Sequence, residues 1–216
     1  SNMDLVIPVV VHVIMNDDGT MGDISRETIE RQITILNDDF SGRGLGSDPS
    51  TPSSGIRFVL ARIDPSGDPT SGITRSNNSA WFNDQDEYWS ELAWDPTRYL
   101  NVYTNSGGGV FGYVNSFPAS GTAGEVDDRV VIDWRVFGVG GLSGAPQDLG
   151  RILTHEVGHY LGLLHTFQDG CGSSNCLESG DLICDTAPHT QPDYECSSLD
   201  TCGFESPVTN FMNYSW

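Results

Sequence analysis

The chain has 216 residues, of which 37% are hydrophobic and 10% aromatic, enough to build one folded domain or two subdomains that share a cleft. Ten basic and thirty acidic residues give a formal net charge of −20, which argues against nucleic acids and anionic membranes as partners and favours cationic peptides. Solubility, adaptation to salt, or the reservation of some carboxylates for calcium are alternative explanations of this charge.

The N-terminal part predicts a strand followed by a helix. Residues 5–15 are apolar and rich in β-branched side chains, which indicates a buried strand. His12 lies inside this strand, and we interpret it as a core residue rather than a ligand. Ser25 is suited to an N-cap, and a helix over residues 28–40 then has one apolar face, as expected of a helix that backs a sheet. That face comprises Ile29, Ile33, Leu36 and Phe40.

Three further strands are predicted before the most informative segment of the chain. They cover residues 56–63, 99–104 and 130–137, where apolar and β-branched residues are concentrated between loops rich in Gly, Ser and Pro. The segment that follows the third strand leads into a helix that begins shortly before His155.

Residues 155–165 read His-Glu-Val-Gly-His-Tyr-Leu-Gly-Leu-Leu-His, and this spacing predicts a catalytic zinc site. His155 and His159 are four residues apart and therefore project from one face of a helix. His165 would face away if the helix continued, so the chain must turn, and Gly162 can adopt the left-handed conformation that such a turn requires. The alternative is that the histidines cap or line a helix without any metal.

Three neutral nitrogens leave the fourth position of a tetrahedral Zn²⁺ open for water, which is typical of catalytic zinc. Glu156 follows the first ligand and is not needed as a ligand itself. Its carboxylate can take a proton from the attacking water and pass it to the leaving amine, so we assign it as the general base.

All five cysteines fall between Cys171 and Cys202, which indicates disulfides formed in an oxidising compartment. A second, structural zinc is the alternative, but no Cys-x-x-Cys pair is present.

The chain resembles the metzincin metallopeptidases, whose helix signature is the one found at residues 155–165 and is followed by a methionine turn. Residues 210–214, Asn-Phe-Met-Asn-Tyr, are similar to that turn. Within the metzincins the chain most resembles the pappalysins, and the similarity spans nearly the whole sequence. The supporting segments are residues 7–13, 165–168, 180–181, 185–188 and 210–212.

The resemblance implies a fold of the α/β (α+β) class: a metzincin-type catalytic domain with a twisted mixed β-sheet, a backing helix and an active-site helix. An upper subdomain would cover residues 1–162. A loop-rich lower subdomain, residues 163–216, would carry the third zinc ligand, the disulfides, a calcium site and the methionine turn.

The resemblance also implies roles for individual residues. Tyr214 would stabilise the oxyanion, with a buried core tyrosine as the alternative, and Met212 would form an apolar floor under the zinc. A short edge strand above the cleft would pair with extended substrate. Its residues are Gly112, Tyr113, Val114 and Asn115.

The acidic segment at residues 180–186 suits Ca²⁺, which members of the resembled family bind here. Asp181 and Thr186 are the predicted ligands, and Asp185 is a further candidate; ordinary solvated turns are the alternative. Because the family commonly has a cysteine just beyond the methionine turn, whereas this sequence stops at Trp216, we expect Cys196 to lack its partner. With Cys196 set aside in this way, we predict the pairs Cys171 with Cys202 and Cys176 with Cys184.

We therefore predict a secreted, monomeric zinc endopeptidase with protein or peptide substrates, and the resemblance implies a preference for Arg or Lys after the scissile bond. No apolar run has the length of a membrane span or the form of a signal peptide. For a secreted zymogen we expect a signal and a propeptide that are not among the residues of this sequence. One alternative is a metzincin of different specificity. The other is a catalytically silent module that binds zinc, calcium and peptides.

Overall fold

A computed structural model describes residues 5–44, 47, 50–115, 117–140, 147, 149–173, 175–195 and 197–215. The chain divides into two compact units, Ser1–Tyr160 and Leu161–Trp216. Each unit is described by itself. Among the described residues, no helix is long and apolar enough to span a bilayer.

The first unit is built around one long buried strand, β1 (Leu5–Met15), as predicted. Its central side chains, from Val9 to Ile14, are almost completely excluded from solvent. Burying a Val or Ile side chain contributes about 1.5–3 kcal/mol, so this strand is a major part of the core. His12 is buried with its neighbours, which confirms its interpretation as a core residue.

Helix α1 (Arg26–Phe40) begins at the predicted N-cap, where the Ser25 side chain accepts a hydrogen bond from the backbone N–H of Thr28. The predicted apolar face is buried except at Phe40, which is half-buried. The Asn37 side chain both donates to the carbonyl and accepts from the N–H of Phe58, each over 2.8 Å. Phe58 lies in β2 (Ile56–Leu60), so α1 satisfies backbone groups of that strand as a neighbouring strand would.

The remaining strands complete a six-stranded mixed sheet. They are β3 (Ile73–Asn77), β4 (Leu100–Asn105), β5 (Gly112–Val114) and β6 (Val130–Asp133). The order is β2-β1-β4-β6-β5, with β3 also paired to β1. The pairs are parallel except β5 with β6, which is antiparallel and places β5 at one edge.

Two predicted strands are longer than the observed ones. The strand predicted at 56–63 ends at Leu60, because the chain then turns at residues 64–68, where Asp64 N–H bonds to the Asp68 carbonyl. The strand predicted at 130–137 ends at Asp133, whose carbonyl accepts from the N–H of Val136 in a turn. The strand predicted at 99–104 is shifted by one residue.

Among the strands and α-helices of the described residues, three short ones were not predicted: β3, α2 (Ser79–Phe82) and α3 (Tyr88–Leu92). The two helices have four and five residues, too few for a helical period to be visible in the sequence. Asn78 caps α2 by accepting from two backbone N–H groups. The fourth helix, α4 (Arg151–Tyr160), contains the first part of the histidine motif.

The second unit has turns and bends rather than helices or strands over its described residues. Disulfides join Cys171 with Cys202 and Cys176 with Cys184, which confirms both predicted pairs. Cys196 and Trp216, on which the expectation of a missing partner depends, lie outside the described residues.

Candidate active site

Helix α4 carries His155 and His159 one turn apart. Both side chains are buried, and their rings lie edge to face with centroids 4.6 Å apart. One nitrogen from each of them and one from His165 form a group whose atoms all lie within 4.8 Å of one another. The sequence spacing thus corresponds to three imidazoles that can share one metal ion.

The first turn of α4 is fixed by two polar side chains of α1. Gln32 is fully buried; its amide nitrogen donates to the Gly150 carbonyl over 2.8 Å. Asp39 accepts a 2.7 Å hydrogen bond from the Thr154 hydroxyl and lies 3.2 Å from Nε of Arg151. Burial raises the pKa of Asp39, and the Thr154 hydrogen bond and the Arg151 charge oppose that effect.

Gln32 and Asp39 were not singled out from the sequence, although a signal was present. Both are polar residues on the otherwise apolar face of α1, where a polar side chain needs a buried partner. The sequence does not show that this partner is the helix that carries His155.

Glu156 projects from α4 and is buried. This burial raises the pKa of its carboxyl group to about 8. A cation held by the neighbouring His155 would oppose the shift, since an opposite charge favours the carboxylate.

The edge strand β5 lies directly against Glu156. A Cβ built on Gly112 would be 2.8 Å from Cγ of Glu156 and 3.0 Å from side-chain carbons of Ile132 and Ile152. Glycine is therefore required at position 112 because the neighbouring side chains leave no room for a Cβ, and not because the backbone is in the left-handed conformation. Residues 112–114 pair with β6 on one side, and Asn115 follows the strand.

In the second unit, Gly162 has a positive φ of 99°, as the predicted turn requires. His165 stacks on Phe167 with ring centroids 4.8 Å apart. Tyr214 approaches the His165 ring edge-on at 4.9 Å. The methionine turn is tied to this histidine, because the N–H of Thr166 donates to the carbonyl of buried Met212 over 3.2 Å.

A buried polar network supports the same segment. Nε2 of His189 lies 2.8 Å from the Thr166 hydroxyl, and Nδ1 lies 3.7 Å from the Asp193 carboxylate. Asn213 donates to Asp193 over 2.8 Å. The network thus links Thr166, which follows His165, to Asn213, which follows Met212. His189 received no role from the sequence, because a histidine after a proline in a loop gives no sign of being buried.

The predicted calcium ligands lie in a turn of the second unit. Asp181 is buried and accepts a hydrogen bond from the N–H of Ile183, while Asp185 is exposed. The N–H of Thr186 bonds to the Ile183 carbonyl over 3.3 Å. Across the part of the chain that the structure describes, the one cluster of three or more His, Cys, Asp or Glu side chains suited to a metal is the histidine group. Calcium binding stays a prediction.

The family model Peptidase_M43, described as pregnancy-associated plasma protein-A, matches residues 83–216. The chain belongs to the Peptidase_M43 family. This membership confirms the predicted resemblance and makes the chain a metallopeptidase.

Two relatives of this Peptidase_M43 chain are each named an extracellular metalloprotease. The protein of Coccidioides posadasii is 33% identical over 98% of this chain and 71% of its own length. The protein of Arthroderma benhamiae is 32% identical over 99% of this chain and 66% of its own length.

The Peptidase_M43 chain is also similar to a solved structure, Tannerella forsythia mature mirolysin in complex with a cleaved peptide. The TM-score is 0.80 at 36% identity, covering 98% of this chain and 84% of mirolysin. This likeness confirms the predicted fold class, a metallopeptidase catalytic domain with a mixed sheet, few helices and a disulfide-containing C-terminal region.

Proposed function

We propose that this chain is a secreted zinc endopeptidase in which His155, His159 and His165 hold Zn²⁺ and Glu156 is the general base. The observation that carries the proposal is the group of three imidazole nitrogens within 4.8 Å of one another, in a chain of a metallopeptidase family. In this proposal, residues 1–162 and 163–216 are the upper and lower subdomains of one catalytic domain.

The donor set fits zinc. Zn²⁺ favours imidazole nitrogen, and a site with three protein ligands is typical of catalysis rather than of structure. The metal-binding group among the described residues consists of these three histidines, so Zn²⁺ held by them would keep a coordination position for a reactant. Zn²⁺ supplies Lewis acidity there, since it polarises a carbonyl and lowers the pKa of water.

Two side chains of this protein perform the proton transfer and the charge stabilisation in the proposed reaction. Glu156 accepts a proton from the attacking water and delivers it to the amine that leaves. Tyr214 donates its phenol proton in a hydrogen bond to the oxyanion as charge develops. Its edge-on contact with His165 supports a position beside the metal ligands. Met212, buried in the second unit, shapes the floor of the site.

Substrate binding is proposed at the edge strand. Residues 112–115 would pair through backbone groups with an extended peptide, which accounts for the acceptance of varied sequences. A preference for Arg or Lys after the scissile bond agrees with the net charge of −20.

The curated relatives are named extracellular, and the two disulfides agree with an oxidising compartment. Asp181, Thr186 and Asp185 remain the proposed calcium ligands.

The test is cleavage of a fluorogenic peptide library with and without a zinc chelator. Wild type should cleave, the chelator should abolish cleavage, and Glu156→Gln should bind zinc stoichiometrically while losing at least about a thousandfold in kcat. The residue preferred after the scissile bond is read from the same library. Zinc binding without cleavage by the wild type would favour the silent peptide-binding module instead.

A further inference from the structure

A carboxylate outside the zinc motif collects hydrogen bonds from three separate segments of the first unit. Asp84 follows helix α2. Its Oδ1 accepts from the Tyr88 hydroxyl over 2.7 Å and from the Asn105 amide over 2.8 Å. The Tyr113 hydroxyl lies 3.0 Å from Oδ1 and 2.9 Å from Oδ2. We call Asp84, Tyr88, Asn105 and Tyr113 the Asp84 cluster.

The donors and acceptors of this cluster are complementary. Oδ1 of Asn105 accepts from the N–H of Gly107 over 2.8 Å, so the side-chain nitrogen of Asn105 must be the atom that faces Asp84. Burial raises the pKa of both Tyr88 and Tyr113, so both phenols keep their protons at neutral pH. An ionised carboxylate accepts only, and here it meets three donors.

Asp84 is itself held firmly in place. Its φ is +58°, a conformation that Asp tolerates better than most residues, and its N–H bonds to the Trp81 carbonyl over 3.1 Å. The turn at Gly107–Gly109 passes over the carboxylate, and a Cβ on Gly108 would be 2.7 Å from Oδ2. The turn can therefore approach so closely only because Gly108 has no side chain.

Tyr113 is the middle residue of β5, a three-residue strand that pairs with β6 alone among the described strands. Such a short ladder offers few backbone bonds to hold an edge in register. The Tyr113 phenol gives the strand a second anchor, independent of the ladder. Gly112, its neighbour, packs against Glu156, so this anchor also bears on the distance between the edge strand and α4.

We infer that Asp84 is a positioning residue that fixes the substrate-binding edge strand through its hydrogen bonds to Tyr113. The inference rests on the proposed function, in which residues 112–115 bind extended peptide. Asp84 does not touch substrate in this scheme. Because a displaced edge weakens binding of the substrate and of the transition state alike, loss of the anchor raises KM more than it lowers kcat.

The experiment compares three single variants and one double variant. Tyr113→Phe removes the phenol and keeps the ring, and Asp84→Asn weakens the acceptor at almost constant volume. Tyr99→Phe is the matched control, because buried Tyr99 makes a single comparable hydrogen bond, to the Ile63 carbonyl over 2.9 Å, away from the edge strand. The double variant combines Asp84→Asn with Tyr113→Phe.

Two quantities are measured: KM and kcat for an eight-residue peptide, and hydrogen exchange of a fragment covering residues 110–115. Tyr113→Phe should raise KM about tenfold, leave kcat within about twofold, and speed amide exchange of β5 about tenfold, as expected for loss of one charge-assisted hydrogen bond. Adding Asp84→Asn should change KM and β5 exchange little more, since Tyr113→Phe has already removed the hydrogen bonds by which Asp84 holds this strand. Tyr99→Phe should leave both quantities as in wild type.

The kinetic and hydrogen-exchange measurements distinguish a failure of this inference from a failure of the proposed function. If wild type cleaves in a chelator-sensitive manner while Tyr113→Phe matches it in KM and in exchange, the positioning role is wrong and the peptidase stands. If wild type cleaves nothing, the proposed function fails, but hydrogen exchange still tests whether Tyr113 holds β5. Faster exchange in Tyr113→Phe but not in Tyr99→Phe supports the anchor, and equal exchange overturns it. Fully additive effects in the double variant also overturn it.

Discussion

Gly112 lies so close to Glu156 that a Cβ on the glycine would come within 2.8 Å of Cγ of the glutamate. The edge strand and the helix of the histidine motif are thus packed at the limit of contact. A substitution at Gly112 is a direct test of whether this approach matters for catalysis.

Gly112→Ala should lower kcat by about tenfold to a hundredfold, because the new methyl group meets Cγ of Glu156 and must displace the proposed general base. It should also destabilise the fold by about 1–3 kcal/mol through overpacking against Ile132 and Ile152. Steady-state kinetics and urea denaturation measure the two effects.

The background Ile132→Val serves as the control, since valine lacks the Cδ1 atom that the new methyl group meets at 3.0 Å. The double variant should recover part of the stability and none of the kcat, because the contact with Glu156 remains. Full activity in Gly112→Ala itself would show that the close approach has no catalytic consequence.

His12 should make stability depend on pH in a defined window. Its Nε2 donates to Oδ1 of Asn101, and its Nδ1 accepts from the Thr74 hydroxyl, so the neutral ring is fully hydrogen-bonded. This assignment follows because Oδ1 of Asn101 is identified as the acceptor by its bond from the Trp94 N–H. Burial lowers the pKa of His12 from 6.5 to about 4.

The folded pKa is below the unfolded one, so between pH 6.5 and pH 4 the unfolded chain binds the proton more readily. The stability contributed by neutral His12 is present above pH 6.5 and is lost as the pH falls to about 4, a loss of about 3 kcal/mol. Urea denaturation at several pH values measures it, with His12→Gln as the non-titrating reference. Equal pH slopes for wild type and His12→Gln would contradict the prediction.

The two disulfides should contribute unequally to stability. Cys171 and Cys202 are 31 residues apart, and Cys176 and Cys184 only 8, so the first bond closes the longer loop in the unfolded chain. Loop-closure entropy predicts a loss of roughly 4 kcal/mol for the first pair and roughly 2.5 kcal/mol for the second. Serine substitution of both members of each pair, followed by urea denaturation, tests this order; a larger loss for the shorter loop would reverse it.

Salt should stabilise the fold. All ten basic residues are arginine, and they face thirty carboxylates, so repulsion dominates at low ionic strength. Raising NaCl from 0.1 M to 1 M shortens the screening length from about 10 Å to about 3 Å and should raise the free energy of unfolding by about 1–2 kcal/mol. Sucrose at equal osmolality is the control for exclusion effects. A fall in stability with NaCl would mean that attractive ion pairs outweigh the repulsion.

Several features that the sequence predicted correctly depend only on neighbours along the chain. The i, i+4 spacing of His155 and His159 is set by the helical repeat, the apolar face of α1 shows the same period, and β1 is visible as a continuous apolar, β-branched run. The turn at Gly162 could be predicted because it depends only on the local backbone conformation, which glycine adopts readily.

Only the tertiary structure decided the contacts that support the site. Asp84 meets Tyr113 across 29 positions, and Asp39 meets Thr154 across 115, distances over which no local period carries information. The short β3, α2 and α3 lack enough residues to show a pattern, and their conformation depends on the strands they pack against. The catalytic chemistry could be identified from the sequence because it depends on the types of side chain and on their spacing. The packing that positions those side chains could not, because it arises from long-range burial and hydrogen bonding.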